Sequence, residues 1–116
     1  MLGRAGERLA LEHLERLGYQ LVARNYRTRH GEIDLVMGNR STLIFVEVKT
    51  RRSQRISAPW DSLDERKRRQ VRRLAAAFLS ETSKRPTPRE LRFDAIGILL
   101  DCQGRLLRLD HIENAF

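Results

Sequence analysis

Cysteine is almost absent from this chain. Among 116 residues only Cys102 occurs, which excludes an internal disulfide and fits a reducing compartment. Histidine is scarce too, and no Cys/His cluster has the spacing of a zinc site. No run of about 18 apolar residues is present, so no transmembrane helix is expected. The opening stretch MLGRAGERLA is charged, helical in pattern and without the apolar core of a signal peptide; a cytoplasmic location is the expectation. Repeats, low-complexity tracts and linkers are also missing. One domain spanning residues 1–116 is expected, large enough for a modest core.

Positive charge, by contrast, is plentiful. The 23 Lys and Arg residues outnumber 15 Asp and Glu, for a net charge of +8. Such a balance points to a polyanionic partner, nucleic acid before an anionic membrane. The excess is concentrated: residues 50–73 hold nine basic and three acidic residues. Within that segment Arg51, Arg52, Arg55, Lys67, Arg68, Arg69, Arg72 and Arg73 are the candidate nucleic-acid contacts. Phosphate contacts of this kind position a nucleic acid without reading its sequence. A solvated helix face is the plainer reading of the same charges.

Residues 31–50, GEIDLVMGNRSTLIFVEVKT, organise the rest. Two strand-like runs, Glu32–Met37 and Leu43–Lys49, flank a Gly-Asn-Arg-Ser turn. In the second run alternation puts Leu43, Phe45, Glu47 and Lys49 on one face and Ile44, Val46 and Val48 on the other. In the first, Ile33, Leu35 and Met37 share one face and Glu32, Asp34 and Val36 the other. Charges in an apolar strand are costly unless paired or bound to an ion. Glu47 and Lys49 alone read as a salt bridge at a strand end. Asp34 adds a second possibility. If the two runs form an antiparallel hairpin, Asp34 lies beside Glu47, and two carboxylates about 4 Å apart repel by roughly 4 kcal/mol at an effective dielectric of 20. A cation relieves such a pair, and oxygen ligands favour Mg²⁺ or Mn²⁺. With Lys49 to stabilise an anion or orient a water, the set suits phosphodiester hydrolysis.

The flanking elements follow from periodicity. Leu2–Leu17 reads as a helix stopped at Gly18, with Ala10, Leu11, Leu14 and Leu17 as its apolar stripe. Glu7 lies on that stripe beside Gly3 and Gly6, which suggests a close approach at the helix start; a first-turn acid favoured by the helix dipole is the alternative. Tyr19–Ala23 is an expected strand and Arg24–His30 an irregular stretch. After the basic loop of residues 51–59, a helix is expected from Asp61 or Ser62 to about Glu81, buried along Leu63, Val71, Leu74, Ala77 and Phe78. Lys67 falls inside that stripe, either snorkelling over apolar surface or donating toward the Asp34 site. Ser83–Pro88 reads as a loop, Leu91–Leu100 and Arg105–Leu109 as strands, and His111–Phe116 as a tail ending in an apolar anchor. The order αβββαββ gives an α/β fold with a central mixed sheet.

GEIDL followed by FVEVK resembles the metal site of the PD-(D/E)XK nuclease superfamily, with Asp34 and the Glu47-x-Lys49 triplet on its core motif. Over nearly the whole chain the pattern is similar to the bacterial YraN-like, Holliday-junction-resolvase-related family of uncharacterised proteins. The residues that carry this are Gly3-x-x-Gly6-Glu7, Gly18-Tyr19, Arg24-Asn25, Gly31 to Leu35, Phe45 to Lys49, Arg51, Lys67, Arg92-Phe93-Asp94 and Asn114-Ala115-Phe116. One departure is Ser57, near where the family usually has glycine. The resemblance implies a restriction-endonuclease-like core with helices flanking the sheet. It implies Mg²⁺ or Mn²⁺ held by Asp34, Glu47 and the Val48 carbonyl. Lys49 would assist the attacking water, and Glu7 and Lys67 would complete the catalytic set. The expected activity is endonucleolytic cleavage of structured or branched DNA, with DNA preferred over RNA and no membrane partner. A four-way junction has two-fold symmetry, so a homodimer would suit it. The alternative function is a nucleic-acid-binding module that keeps the nuclease fold with little or no catalysis.

Overall fold

The computed structural model describes residues 2–29, 31–53, 65–81 and 90–116. The chain opens with helix α1 (Leu2–Arg16). Ala10 and Leu14 are fully buried and Leu11 half-buried, as the apolar spacing predicts. Leu17, expected on the same stripe, is instead 54% exposed. The helix has ended before it. Gly18 takes φ +99°, its N–H donates to the Glu15 carbonyl at 3.0 Å, and the Tyr19 N–H donates to the Leu14 carbonyl at 3.1 Å. This is a Schellman stop, which needs a left-handed residue and therefore glycine.

Among the described residues five strands follow in a single sheet: β1 (Gln20–Thr28), β2 (Gly31–Gly38), β3 (Thr42–Arg52), β4 (Glu90–Leu100) and β5 (Leu106–Ile112), in spatial order β1-β2-β3-β4-β5. Neighbours are antiparallel except β3 and β4, which run parallel. Helix α2 (Glu65–Glu81) belongs to the crossover between that parallel pair. The order is αβββαββ and the sheet is mixed, as the sequence pattern implies.

Two cores sandwich the sheet. On the α1 side Ala10 and Leu14 pack with Leu35, Met37, Ile44, Val46, Ile96, Ile98 and Leu100. On the α2 side Val71, Leu74, Ala75 and Phe78 pack with Ile33, Val36, Leu43, Phe45, Phe93, Ala95 and the terminal Phe116. The alternation of β3 is thus as expected. Along α2 it is Ala75 that is buried, while Ala77 is only half-buried; the stripe follows i, i+3, i+4, i+7. The N-terminal cap of α2, Leu63, Arg55, Ser57 and the loop of residues 83–88 lie outside the described residues.

Two strands are longer than their sequence patterns suggest. β1 continues to Thr28 through the basic stretch expected to be irregular, because β2 supplies partners as far as Thr28–Gly31. β5 continues to Ile112, paired with Ala95. Side-chain character misleads here, since the backbone ladder holds these segments rather than burial.

A buried polar network ties the far end of α1 to the sheet. The Asp94 side chain is fully buried. It accepts from Arg92 Nη2 at 2.8 Å, bonds His111 Nε2 at 2.7 Å and accepts from the Asn114 N–H at 3.1 Å. His111 Nδ1 lies 3.0 Å from His13 Nε2 on α1, and Arg92 Nη1 donates to the Tyr19 hydroxyl at 3.2 Å. Burial of a carboxylate is tolerated because every oxygen is satisfied by cationic or N–H donors; the bonds from His111 and Arg92 outweigh desolvation and hold its pKa below the ordinary value. No described helix is long and apolar enough to cross a membrane.

Candidate active site

The site forms where β2 and β3 part. Their antiparallel ladder runs from Gly38–Leu43 to Leu35–Val46, and β3 continues beyond it alongside β4 alone. Asp34 and Glu47 are the next residues on each side of that last pair. The predicted hairpin thus brings these two carboxylates to the same opening.

Asp34 does not sit on a regular strand face. Ile33 packs on the α2 side, whereas Leu35 and Met37 pack on the α1 side with Val36 opposed to them. The three apolar residues expected on one face are therefore split, and the alternation of β2 breaks at Asp34. β1 breaks in register with it. Ala23 and Tyr26 both pack toward α2 although they are three residues apart, and Asn25 between them has φ +50°. Asn25 lies across from Asp34, between the pairs Arg24–Leu35 and Tyr26–Ile33. A left-handed residue reverses the pleat locally, and asparagine tolerates that conformation.

This break decides what Asp34 does. Its Oδ2 accepts the Val48 N–H at 2.8 Å, so the carboxylate replaces a ladder carbonyl rather than projecting from a face. In an extended residue N–H and C=O point to the same edge, so the Val48 carbonyl opens toward the same gap. Burial is the main influence that lifts the Asp34 pKa to about 7. The Val48 N–H opposes this, and the nearby charges of Glu47, Glu7 and Glu32 add to it. Desolvation and like charge are both relieved by a cation.

The other predicted residues arrive from three elements. Glu7 comes from α1, and its pKa is raised by burial and by Glu32. Its approach depends on Gly6, where an added Cβ would stand 1.8 Å from Thr50 Oγ1; Gly3 meets nothing within 4 Å. Lys67 comes from α2, with Nζ 2.9 Å from Glu47 Oε1. Lys49 lies two residues beyond Glu47 on β3, half-buried. Gly31 lets α2 approach β2: its φ is +134°, and a Cβ there would meet Gln70 Nε2 at 2.8 Å.

The basic candidates divide. Arg68, Arg69 and Arg73 are exposed on α2, and Arg69 and Arg73 border a cleft with Arg66 and Gln70. Arg72, also exposed, is tethered to the core instead: its guanidinium lies 4.9 Å from the Phe93 ring centre, and Nη2 donates to the Phe116 carbonyl at 3.4 Å. Arg52 Nη1 donates to the Cys102 carbonyl at 3.4 Å. Arg51 is half-buried, with a buried Nε that finds no hydrogen-bond acceptor among the described residues.

Two residues here carried no role in the sequence reading. Strict alternation would have turned Glu32 away from α1; the pleat reversal turns it toward Glu7. Asn25 joins them: with its amide nitrogen facing the carboxylates, it donates to Glu32 Oε1 at 2.8 Å and to Glu7 Oε1 at 3.2 Å. An asparagine within a basic, strand-forming stretch was the available signal.

Among the described residues, no three Asp, Glu, His or Cys side chains are gathered closely enough to hold a metal ion by themselves. A set of Asp34, Glu47 and the Val48 carbonyl does not require a third such side chain. Its donor chemistry fits a hard divalent cation, because the Asp34 carboxylate is buried among other carboxylates.

Comparison with known proteins gives one consistent result. Residues 6–98 match the model of the Uncharacterised protein family UPF0102. A UPF0102 protein of Pelotomaculum thermopropionicum is 41% identical over 116 residues, covering 100% of this chain and 95% of that protein. One from Symbiobacterium thermophilum is 43% identical, covering 99% and 95%. One from Chlorobium chlorochromatii is 41% identical, covering 99% and 90%.

Proposed function

Because the chain belongs to the uncharacterised UPF0102 family, whose name carries no activity, we propose from its own site that it is a metal-dependent endonuclease acting on structured or branched DNA. The carrying observation is the Asp34 carboxylate. It is inserted at the parting of β2 and β3, bonded to the Val48 N–H and raised to about 7 among Glu47, Glu7 and Glu32. A buried group so perturbed by desolvation and by neighbouring carboxylates is a functional candidate with a stated cause.

Asp34, Glu47 and the Val48 carbonyl would hold Mg²⁺ or Mn²⁺. When bound, the ion would supply charge stabilisation at the scissile phosphate and activation of a water. The protein's own groups do the rest. Asp34 is fixed in direction by the Val48 N–H. Lys67 neutralises Glu47 and can exchange that contact for a phosphate oxygen. Lys49, beside Glu47 on the strand, is placed to steady the developing phosphorane charge or the attacking water. Arg68, Arg69 and Arg73 offer phosphate contacts outside the site. DNA is the expected polymer and a homodimer the expected form on a two-fold symmetric junction.

The test is a cleavage screen with Mg²⁺ or Mn²⁺ across four-way junctions, flaps, single strands and RNA. Cleavage by the parent and not by Asp34→Ala is expected; no cleavage of any substrate refutes the proposal. The Lys67–Glu47 pair favours a second reading, a nucleic-acid-binding module with little catalysis, because it satisfies Glu47 without any ion. That reading requires salt-sensitive binding that persists in Asp34→Ala.

A further inference from the structure

We infer that Asn25 is a positioning residue, whose carboxamide holds Glu7 of α1 and Glu32 of β2 together beside Asp34. Its part in catalysis rests on the nuclease reading; the contact itself does not. Three observations converge on this residue. Its backbone sits at φ +50° within a strand. It lies across from Asp34 at the point where both strands reverse their pleat. Its one amide group reaches two carboxylates, at 2.8 and 3.2 Å.

The chemistry explains why asparagine is suited to this place. Glu7 and Glu32 are like charges on different elements, and Glu7, partly desolvated, is raised further by Glu32. Arg27 Nε meets Glu32 at 3.4 Å on its outer side but is itself 79% exposed, so it steers the carboxylate weakly. A neutral donor between the two is different. It adds no charge that would compete with a cation, and its two N–H bonds point in fixed directions. Aspartate would keep the size and tolerate the backbone but would turn both donors into acceptors. Glycine would keep the backbone and remove the side chain. Left-handed strain of this kind persists where the surrounding structure fixes it, commonly at functional sites.

The experiment uses the full chain and compares the parent with Asn25→Gly, Asn25→Asp and the double variant Asn25→Asp/Glu32→Gln, which returns one amide to the cluster. NMR provides the activity-independent readout. In the parent, the side-chain amide of Asn25, an exposed residue, should show hydrogen-bond scalar coupling to the carboxyl carbons of Glu7 and Glu32. In Asn25→Gly those carboxyl resonances should move to solvent-exposed positions while the backbone amide pattern remains. Carboxyl resonances unchanged in Asn25→Gly, or no coupling in the parent, would overturn the inference; should the glycine variant not fold, Asn25→Asp is read in the same way. For cleavage, a misplaced group costs on the order of 100-fold. Asn25→Asp should therefore lose about 100-fold in kcat with KM for DNA unchanged, and the double variant should recover at least about tenfold. A residue needed only for its backbone would leave kcat intact in both single variants, which would refute the positioning role. If the parent cleaves nothing while the NMR contacts are present, the nuclease reading falls and the positioning of Glu7 and Glu32 stands.

Discussion

Asp34→Asn should make the protein more stable, and only where the carboxylate is ionised. In the folded chain this acid titrates at about 7, against an ordinary 3.8. A raised carboxylate pKa means that the fold prefers the protonated form. The stability tied to this group is therefore complete below about pH 4 and is lost as the pH rises through about 7. A rise of about three units corresponds to an upper limit of about 4 kcal/mol. Partial solvent access reduces that to about 2 kcal/mol. The substituted amide keeps an acceptor for the Val48 N–H, so little opposes the gain. For a chain of this length the unfolding entropy is about 0.24 kcal/mol/K, which places the benefit of Asp34→Asn at roughly 8 °C in Tm. Thermal melts by circular dichroism at about pH 8 should show that gap, and melts near pH 4 should show none. Mg²⁺ at about 10 mM should raise the parent's Tm at the upper pH and leave Asp34→Asn unmoved, since only a ligand of the folded state stabilises it. A parent equal to or more stable than Asp34→Asn at the upper pH, or a gap that ignores pH, refutes the argument.

Further measurements follow from other parts of the fold. Gly6→Ala places a Cβ 1.8 Å from Thr50 Oγ1 and 2.9 Å from its Cβ; urea unfolding should show a loss of about 1–3 kcal/mol. Thr50→Ala should restore only part of it, because the second clash remains. Asp94→Asn strands Arg92 and His111 beside a fully buried position and should cost about 3–5 kcal/mol at neutral pH. Because the Asp94 pKa is depressed, its contribution is present above the ordinary carboxylate range and is lost on acidification, so the penalty should shrink as the pH falls. Lys67→Met should change stability by less than about 1 kcal/mol, the pair being partly exposed, yet cleavage should drop by an order of magnitude or more if the ammonium serves the phosphate. Arg68→Ala should weaken DNA binding evenly across sequences and lower the slope of log affinity against log salt by about one.

The hairpin, the helix faces and the element order were legible because they rest on periodicity, which the sequence displays directly. Leu43 to Val48 alternates in the structure as it does on paper. The same rule failed at Asp34, where one left-handed residue on the neighbouring strand reverses the pleat. Nothing in residues 31–38 announces that reversal; it is imposed from β1. Glu32 was assigned the wrong direction and Asn25 no role for that reason. Leu17 was misplaced although the stop at Gly18 was legible, because the helix ends at Arg16 and the last residue before the glycine leaves the buried stripe. The length of β1 was hidden because hydrogen bonding to β2, not burial, extends it through polar residues.

The parallel pairing of β3 and β4 has a consequence for the order in which the chain folds. Strands β1 to β3 join through short turns and can pair early, whereas β4 must return from far along the chain, past α2. Asp34 and Glu47 are thus brought together by local contacts, while Lys67 docks only with the crossover. Until then the young hairpin carries its crowded carboxylates without their lysine. If pairing follows sequence separation, closing the crossover would both complete the sheet and bring Lys67 to Glu47. Substituting Glu47 by glutamine should accordingly relieve the early hairpin and speed refolding in stopped-flow measurements, even though the finished fold loses an ion pair.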